Sequence, residues 1–275
     1  MKIRIGFSTC PNDTFIFDAL LNGRISCQGY EFEPYLSDVE DLNRLAFQGA
    51  LDVTKLSYHA WLHLWEQYVI LDTGSALGRG NGPLLVARDL NTDPRRASTR
   101  VAIPGRLTTA NLLLSLAYPH IRDKKELLFS EIEQALLEGQ VDAGVLIHET
   151  RFTYSHRGLV LLSDLGEYWE KTTQTAIPLG GIMASRRLSP DQRAEINLLI
   201  RKSLQTALDN PAGAMPYMRQ HAREMDPEVL KAHVSTFVTD QTVSLGVEGR
   251  QAIETLIERS LAAGIITDKP TGIFA

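Results

Sequence analysis

His148 is the residue of this sequence whose type and position are best suited to proton transfer. It follows the apolar run 141–147, which contains one aspartate and one glycine and is typical of a short buried strand. In open α/β sheets, ligands bind beyond the carboxyl ends of the strands. Histidine titrates near neutral pH and often serves as a base in catalysis. The position therefore predicts a catalytic role for His148, while the alternative of a helix-capping or surface histidine stays open.

Polar side chains follow three further predicted strands at the same topological position. In each case the apolar run ends where a ligand would be bound. One of these sites also starts a helix, whose first backbone N–H groups lack partners within the helix and suit a carboxylate or hydroxyl oxygen. Each residue taken alone could be a simple helix cap. The candidates are Ser8 and Asn12 after the first strand, Lys55 and Ser57 at the end of the third, and Thr108 and Thr109 after a later one.

The densest run of glycines, GSALGRGNGP at 74–83, allows two interpretations. It lacks the Gly-Lys-Ser/Thr of a phosphate-binding loop and the register of a dinucleotide fingerprint. The first interpretation is a flexible turn before a strand at 84–88. In the second, the glycines bring the main chain close to a ligand, and backbone N–H groups together with Arg79 hold a carboxylate.

The histidines predict neither a metal site nor a hydrolase triad. His59 and His63 are four residues apart, but the residues between them include no glutamate of the zinc-protease kind. We therefore interpret them as a solvent-facing or half-buried pair on one helix. Ser57 and His148 occur without a nucleophile elbow.

The composition indicates a globular protein that binds no nucleic acid. The chain has 275 residues, of which 44% are hydrophobic and 22% charged, and a formal net charge of -5. Nucleic-acid binders usually present a basic face, which this charge disfavours. The sequence shows neither a secretory signal nor the roughly 20 apolar residues of a spanning helix, so we expect a cytoplasmic protein without membrane insertion. Cys10 and Cys27 match no metal spacing and are expected to be free thiols.

Hydrophobic periodicity predicts alternating strands and helices, the pattern of a parallel sheet with helices on both sides. The pattern occurs twice, because GALDV at 49–53 and GQVDA at 139–143 each follow an amphipathic helix and enter an apolar strand. We therefore predict two α/β lobes of related build. The predicted strands are 3–8, 31–36, 51–56, 84–88, 100–103, 126–129, 141–147 and 178–185, and the predicted helices are 14–21, 38–47, 108–116, 130–137, 191–208, 211–224, 227–237 and 247–263.

The order of these elements predicts how the lobes are divided. The strand at 178–185 returns the chain to the first lobe, and the C-terminal helices complete that lobe. We predict a discontinuous first lobe of residues 1–98 and 186–275, and a second lobe of residues 99–185. A ligand cleft between the two lobes is expected, as in hinge-closing binding folds.

A series of short motifs occurs in a fixed order along the whole chain. They are STCPNDTF at 8–15, TKLSY at 54–58, the glycine-rich 74–83, PGR at 104–106 with TTA at 108–110, IHETRFTY at 147–154, HVSTFV at 233–238 and GVEG at 246–249. Such a series is highly specific, and it resembles the 1,4-dihydroxy-6-naphthoate synthase family of the futalosine route to menaquinone.

The resemblance implies a fold, an activity and site residues. The implied fold is the two-lobed periplasmic-binding-protein-like type 2 fold, in which each lobe is a mixed, mostly parallel sheet flanked by helices. The implied activity is a carbon-carbon lyase that converts cyclic de-hypoxanthine futalosine to 1,4-dihydroxy-6-naphthoate without a cofactor. The family's proposed base falls on His148, and its substrate-contacting segments fall on Lys55, Leu56 and Ser57 and on Thr108 and Thr109.

A neutral imidazole would suit this reaction, because removal of a proton lets electrons flow into the ring that becomes aromatic. If residue 149 starts a short helix, the dipole of that helix disfavours the imidazolium form of His148. Arg79 is assigned to the carboxylate of the substrate. Whether Glu149 or a distant carboxylate orients His148 stays open.

The rival interpretation is a non-catalytic solute-binding protein of the same fold, which fold alone cannot separate from an enzyme. The histidine at a strand end and the missing signal peptide favour the enzyme. A ligand-sensing domain of a regulator is disfavoured, because no helix-turn-helix segment precedes the first strand. The expected partner is a small-molecule carboxylate substrate, and the sequence is compatible with a homodimer.

Overall fold

The computed structural model describes residues 1–148, 150–222 and 226–275. Within this part the chain forms two compact units. Unit 1 comprises Met1–Leu77 and Gly180–Ala275, and unit 2 comprises Gly78–Leu179. The chain leaves unit 1 once and returns to it once, so unit 1 is discontinuous.

Strands and helices alternate along most of the chain. The strands are β1 (Lys2–Phe7), β2 (Glu31–Leu36), β3 (Val53–Ser57), β4 (Tyr68–Ile70), β5 (Ala76–Gly78), β6 (Leu84–Ala87), β7 (Val101–Ile103), β8 (Lys124–Glu126), β9 (Ala143–Leu146), β10 (Val160–Asp164) and β11 (Ile177–Ser185). The α-helices are α1 (Pro11–Leu21), α2 (Val39–Phe47), α3 (Tyr58–Leu62), α4 (Thr109–Ala117), α5 (Ile132–Leu137), α6 (Thr150–Thr153), α7 (Leu165–Thr173), α8 (Pro190–Asp209), α9 (Pro211–His221), α10 (Pro227–Phe237), α11 (Asp240–Val243) and α12 (Gly246–Ala262), and 3₁₀ turns occur at Phe129–Glu131 and Tyr154–Arg157.

The sheet of unit 1 has the strand order β2-β1-β3-β11-β4, with β5 paired to β11. β1 is parallel to β2 and β3, while β11 is antiparallel to β3 and β4. β3 is buried along its whole length, as expected for a strand inside a sheet. α1 packs against α8, α9 and α10, which explains why apolar residues cover most of its faces.

The sheet of unit 2 has the strand order β10-β6-β9-β7-β8. β7 is parallel to β8 and β9, while β6 is antiparallel to β9 and β10. The core of this unit packs β-strand residues such as Val86 and Leu146 against Ile132 and Leu136 of α5. In both sheets a single direction dominates, so the prediction of an α/β fold with mixed, mostly parallel sheets is confirmed.

The predicted internal repeat has a structural counterpart in two aspartates. The backbone N–H of Asp52 donates to Arg4 O at 2.9 Å, and Asp52 Oδ2 accepts from the N–H of Arg4 at 2.9 Å. Asp142 makes the same two bonds with Arg100, at 2.9 and 2.8 Å. The glycine three positions before each aspartate has a positive φ, 63° and 72°, as is common just after a helix. Each aspartate thus fastens the start of its strand to the preceding parallel strand.

The boundaries of the two units differ from those expected from the sequence. The chain crosses between units at 77/78 and 179/180, whereas the sequence placed the crossings at 98/99 and 185/186. Residues 78–98 belong to unit 2 because β6 pairs with β9 and β10, both of which lie in that unit. β5 and β11 each run across a boundary, so the crossings fall inside strands.

Several local expectations also needed correction. The predicted strand at 126–129 is wrong, because β8 ends at Glu126 and Phe129 already begins a 3₁₀ turn. β9 is four residues long and shorter than the predicted 141–147. β4, β10 and α7 were not predicted. The two strands have three and five residues, too few for a clear period. α7 begins where the side chain of Asp164 accepts hydrogen bonds from the backbone of Gly166 and Glu167.

Candidate functional site

In unit 1 the turn between β1 and α1 folds around the carboxylate of Asp13. Cys10 is the N-cap residue of α1, and Pro11 occupies the first helical position, which it suits because it has no N–H to leave unpaired. Ser8 donates to Asp13 Oδ2 twice, from its hydroxyl at 2.7 Å and from its backbone N–H at 3.1 Å. The carboxylate in the first turn of α1 is further favoured by the helix dipole.

Lys55 of β3 reaches the same carboxylate. Its Nζ lies 2.8 Å from Asp13 Oδ1, and the two residues are only 6% and 1% exposed. Asn12 Nδ2 donates to Asp13 Oδ1 at 2.9 Å, and Asn12 Oδ1 lies 3.0 Å from His233 Nε2 on α10. We call these five buried residues, Ser8, Asn12, Asp13, Lys55 and His233, the Asp13 cluster.

Ser57, at the end of β3, is held by a second buried group on α2. The side chain of Asn43 accepts from the backbone N–H of Ser57 at 3.0 Å and donates to its Oγ at 3.3 Å. The same amide donates to Glu40 Oε2 at 3.2 Å. Side chains alternate along a strand, so Lys55 and Ser57 point to one face and Leu56 points to the other. Leu56 is fully buried, and any ligand contact it makes would come from its backbone.

In unit 2, Thr108 and Thr109 lie at the start of α4. Thr108 is the N-cap residue: its hydroxyl accepts from the backbone N–H of Asn111 at 3.3 Å and donates to Gly105 O at 2.8 Å. The hydroxyl of Thr109 donates to Leu179 O at 2.7 Å. Both hydroxyl protons are therefore committed inside the unit, and what these residues can offer a ligand is oxygen lone pairs and backbone N–H groups at the helix start.

Lys124, at the start of β8, holds α4 from the other side. Its Nζ donates to Asn111 Oδ1 at 2.8 Å and to Ser115 Oγ at 2.7 Å. Asn111 Nδ2 in turn donates to Arg106 O at 2.8 Å, in the loop that leads to the threonines. Burial, reinforced by the charge of Arg122, lowers the pKa of Lys124 to about 8.

His148 lies two residues after the end of β9, one residue further from the strand than the sequence predicted. Its φ is 57°, in the left-handed region that few residues other than glycine adopt. The ring is partly buried and packs edge-on against the ring of Phe129, with the centroids 4.9 Å apart. Strained backbone of this kind costs about 1–3 kcal/mol and is concentrated at functional sites. Glu149, expected to start a helix and considered as the orienting group, lies outside the described residues.

The glycine-rich stretch 74–83 is used for packing and internal hydrogen bonds. The backbone N–H of Gly80 donates to Glu170 Oε1 at 2.7 Å, and Gly80 O accepts from Arg151 at 3.3 Å. A Cβ on Gly82 would lie 2.4 Å from the Cα of Gly166, so two main chains meet closely at that point. Arg79 is exposed. The close approach at Gly82 is to the protein's own helix α7, and the predicted approach of this stretch to a ligand stays a prediction.

Other groups considered in the sequence carry no recognisable site. His59 is buried and His63 exposed, with ring centroids 5.5 Å apart. Over 1–148, 150–222 and 226–275, no group of three or more His, Cys, Asp or Glu side chains could hold a metal ion. No helix in this part of the chain is long and apolar enough to cross a membrane. In the described part of the chain, Cys10 and Cys27 take part in no disulfide.

The structure thus joins the predicted residues into groups within each unit. Ser8, Asn12 and Lys55 share one cluster, whose centre, Asp13, was not among the predicted site residues. Asn43 was missed as well. A signal for it existed, because Asn43 follows Val39 by four positions and so places an amide on the apolar face of α2.

The fold is that of the periplasmic binding proteins. The Candida albicans CA3427 gene product, described as having the generic periplasmic binding protein fold, superimposes with a TM-score of 0.68 at 13% identity, covering 98% of this chain and 92% of that one. Protein AF1704 from Archaeoglobus fulgidus is much more similar, with a TM-score of 0.90 and 36% identity over 96% of this chain and 98% of its own.

Sequence comparison identifies the family. The family model for menaquinone biosynthesis matches residues 3–262. A 1,4-dihydroxy-6-naphthoate synthase of Thermus thermophilus is 44% identical over 274 residues, which cover 99% of this chain and 98% of the relative. This chain belongs to the 1,4-dihydroxy-6-naphthoate synthase family of menaquinone biosynthesis and is an enzyme.

Proposed function

We propose that this chain is a lyase that converts cyclic de-hypoxanthine futalosine to 1,4-dihydroxy-6-naphthoate, with His148 as the general base. The observation that carries the proposal is the full-length similarity to a named synthase, at 44% identity. The chain also retains, in order, the motifs on which the resemblance rests, from STCPNDTF at 8–15 to GVEG at 246–249.

The role of His148 is supported by its geometry. It is the second residue after β9, and ligands of open α/β sheets bind beyond the carboxyl ends of strands. Its left-handed backbone, with φ of 57°, is costly for a residue with a side chain and is the kind of strain found at active sites. In the proposed step the imidazole removes a proton, and the electrons released flow through the breaking carbon-carbon bond toward the ring that becomes aromatic.

Binding of the substrate is assigned to the groups at the other strand ends. Lys55 and Ser57 of unit 1 and Thr108 and Thr109 of unit 2 are the proposed contacts for carboxylate and hydroxyl oxygens. Ser8, Asn12 and the backbone of Leu56 complete the proposed set. Exposed Arg79 is the alternative holder of the carboxylate. The prediction that one substrate contacts both units is part of this proposal.

The proposal is tested by turnover of the purified protein. Incubation with cyclic de-hypoxanthine futalosine, in buffer with EDTA and no added cofactor, is expected to produce the absorbance of the naphthoate product. Binding of the compound without turnover would instead favour the solute-binding alternative. Turnover that depends on an added metal ion would contradict the cofactor-free reaction.

His148→Ala and His148→Asn test the base. Each is expected to lower kcat by at least about 10²-fold, because general base catalysis contributes roughly that much or more. Substrate affinity, measured by calorimetry with the inactive variants, is expected to stay close to that of the unmodified protein. His156→Ala, an exposed histidine in the 3₁₀ turn Tyr154–Arg157, is the matched control and should retain full activity. Near-normal kcat in either His148 variant would remove this residue from the mechanism.

A further inference from the structure

The buried ammonium of Lys55 has more N–H donors than hydrogen-bond partners among the described residues. A lysine ammonium carries three N–H donors. Among the described residues, Lys55 Nζ has one hydrogen-bond partner, Asp13 Oδ1 at 2.8 Å. The side chain is only 8% exposed, so water can reach it from little of its surface. Two N–H donors of a nearly buried cation are therefore available to an acceptor that the protein does not supply.

The carboxylate of Asp13, by contrast, already accepts as many hydrogen bonds as it can. Asp13 accepts from Lys55 and Asn12 at Oδ1 and from the hydroxyl and backbone N–H of Ser8 at Oδ2. A carboxylate offers about four lone-pair sites, and all of them are occupied here. Asp13 has no capacity left to bind a ligand itself. Its role must be exerted through the residues that it holds.

The rest of the cluster prevents the carboxylate from moving. Asn12, which donates to Asp13, is itself in contact with His233 Nε2 at 3.0 Å. His233 is buried on α10 and packs against the ring of Phe237, with centroids 4.7 Å apart. Contacts from the turn after β1, from α1 and from α10 thus hold Asp13, and Asp13 in turn holds Lys55 Nζ.

Stability alone is a weak reason to keep such a pair. Desolvation of two charges offsets much of their attraction, and neutral residues of similar size are often as stable. A buried cation with unused donors and a rigid counter-ion is, however, suited to bind an anion, because the site is charged and oriented before the ligand arrives.

We propose that Asp13 is a positioning residue that holds the Lys55 ammonium so that its two remaining N–H donors bind the carboxylate of the substrate. This rests on the proposed function for the nature of the substrate, and it assigns the carboxylate to buried Lys55 in place of exposed Arg79. Asp13 touches no substrate atom in this arrangement.

The first test measures binding and needs no turnover. Affinities of the full-length protein for 2-naphthoate and for the neutral 2-naphthamide are compared by calorimetry. The unmodified protein is expected to bind the carboxylate at least tenfold more tightly than the amide. In Lys55→Met the two affinities are expected to differ by less than about twofold. Arg79→Met is expected to leave it unchanged. A preference that survives in Lys55→Met, or that is lost in Arg79→Met, would overturn the assignment.

The second test asks whether Asp13 acts through Lys55. Asp13→Asn is expected to reduce the preference at least fivefold, because asparagine supplies an oxygen but no charge to hold the ammonium. In the Lys55→Met background the same change should have no further effect, since the group that it positions is gone. An unchanged or increased preference in Asp13→Asn, or a further loss in the double variant, would contradict the proposal.

Two additional variants separate positioning from folding. Asp41→Asn, an exposed carboxylate in the first turn of α2, is the matched control and should behave like the unmodified protein. Asp13→Glu retains the charge but displaces it by one methylene, and it is expected to weaken the preference in a protein that shows cooperative thermal unfolding. Full preference in Asp13→Glu would exclude the positioning role even if Asp13→Asn does not fold.

Turnover distinguishes this inference from the proposed function. In an active protein, Asp13→Asn is expected to raise KM at least fivefold with kcat changed less than threefold, the pattern of lost uniform binding. If the unmodified protein shows no turnover but the carboxylate preference depends on Asp13 and Lys55, the proposed function fails and the inference stands. If turnover is present and the preference is independent of Asp13, the inference alone fails.

Discussion

Hydrogen-bond partners inside each unit constrain what single side chains can offer a ligand. The hydroxyl protons of Ser8, Thr108 and Thr109 are all donated to protein oxygens. These hydroxyls can therefore accept hydrogen bonds from substrate hydroxyl groups, but they are poorly placed to donate to a carboxylate. The Lys55 ammonium, by contrast, keeps two N–H donors after its contact with Asp13. The polar residues after strands, which looked interchangeable in the sequence, therefore differ in what they can offer a ligand.

Asn43 offers a test of how Ser57 is held. Asn43→Ala is expected to lower the free energy of unfolding by about 1–3 kcal/mol, because the buried backbone N–H of Ser57 loses its acceptor. It should also lower kcat/KM by displacing the Ser57 hydroxyl. Urea unfolding and steady-state kinetics measure the two effects. Asn91→Ala removes an exposed asparagine side chain that bonds Asp89, and it should change stability by less than about 0.5 kcal/mol. Equal effects of the two substitutions would show that the Asn43 bonds are unimportant.

Strand ends and helix starts place these side chains, and the contacts between elements hold them there. α4 begins at the Thr108 cap, and its first two turns are fastened to β8 by Lys124 through Asn111 and Ser115. The loop before α4 is tied to the same point, because Asn111 also binds Arg106 O. Correct placement of the two threonines therefore depends on an edge strand, β8, whose position the sequence predicted two residues too late.

Lys124 makes the stability of this arrangement dependent on pH. Its pKa falls from 10.5 to about 8 in the folded protein, so between these values the unfolded state binds more protons than the folded state. The contribution of Lys124 to the free energy of unfolding is therefore expected to rise with pH through this window. Below about pH 8 the lysine is charged in the folded protein, and the burial of that charge opposes folding. Urea unfolding from pH 7 to 10 should show this rise in the unmodified protein relative to Lys124→Met. Lys202→Met, which removes an exposed lysine, should show the same pH dependence of the free energy of unfolding as the unmodified protein. A difference in free energy between the unmodified protein and Lys124→Met that does not change with pH would refute the expectation.

At the level of the whole chain, two units of related build each present polar groups after their strands. The duplicated aspartates, Asp52 and Asp142, bind the preceding strands in the same way and support a common plan for the two sheets. The family relationship makes the chain an enzyme of menaquinone biosynthesis. The expected ligand cleft between lobes, the cytoplasmic location and the homodimer stay predictions.

Contact of one ligand with both units can be tested by substitution in each. Ser57→Ala in unit 1 and Thr108→Ala in unit 2 are each expected to weaken binding of 1,4-dihydroxy-6-naphthoate by about 1–3 kcal/mol, the cost of leaving a buried polar partner unpaired. Calorimetric titration provides the affinities. Ser235→Ala and Thr172→Ala, exposed residues of the respective units, serve as controls. Loss of affinity from only one unit would show that the ligand is bound by that unit alone.

The sequence by itself determined the alternation of strands and helices, the two related halves, the position of His148 after a strand, and the family. These depend on local periodicity, on caps and on motifs, all of which lie within a few neighbouring residues. Only the tertiary structure decided that β6 belongs to unit 2, that β11 runs antiparallel to β3, and that Asp13 pairs with Lys55, 42 residues away. Such pairings follow from the packing of distant segments, and a local pattern is compatible with many of them.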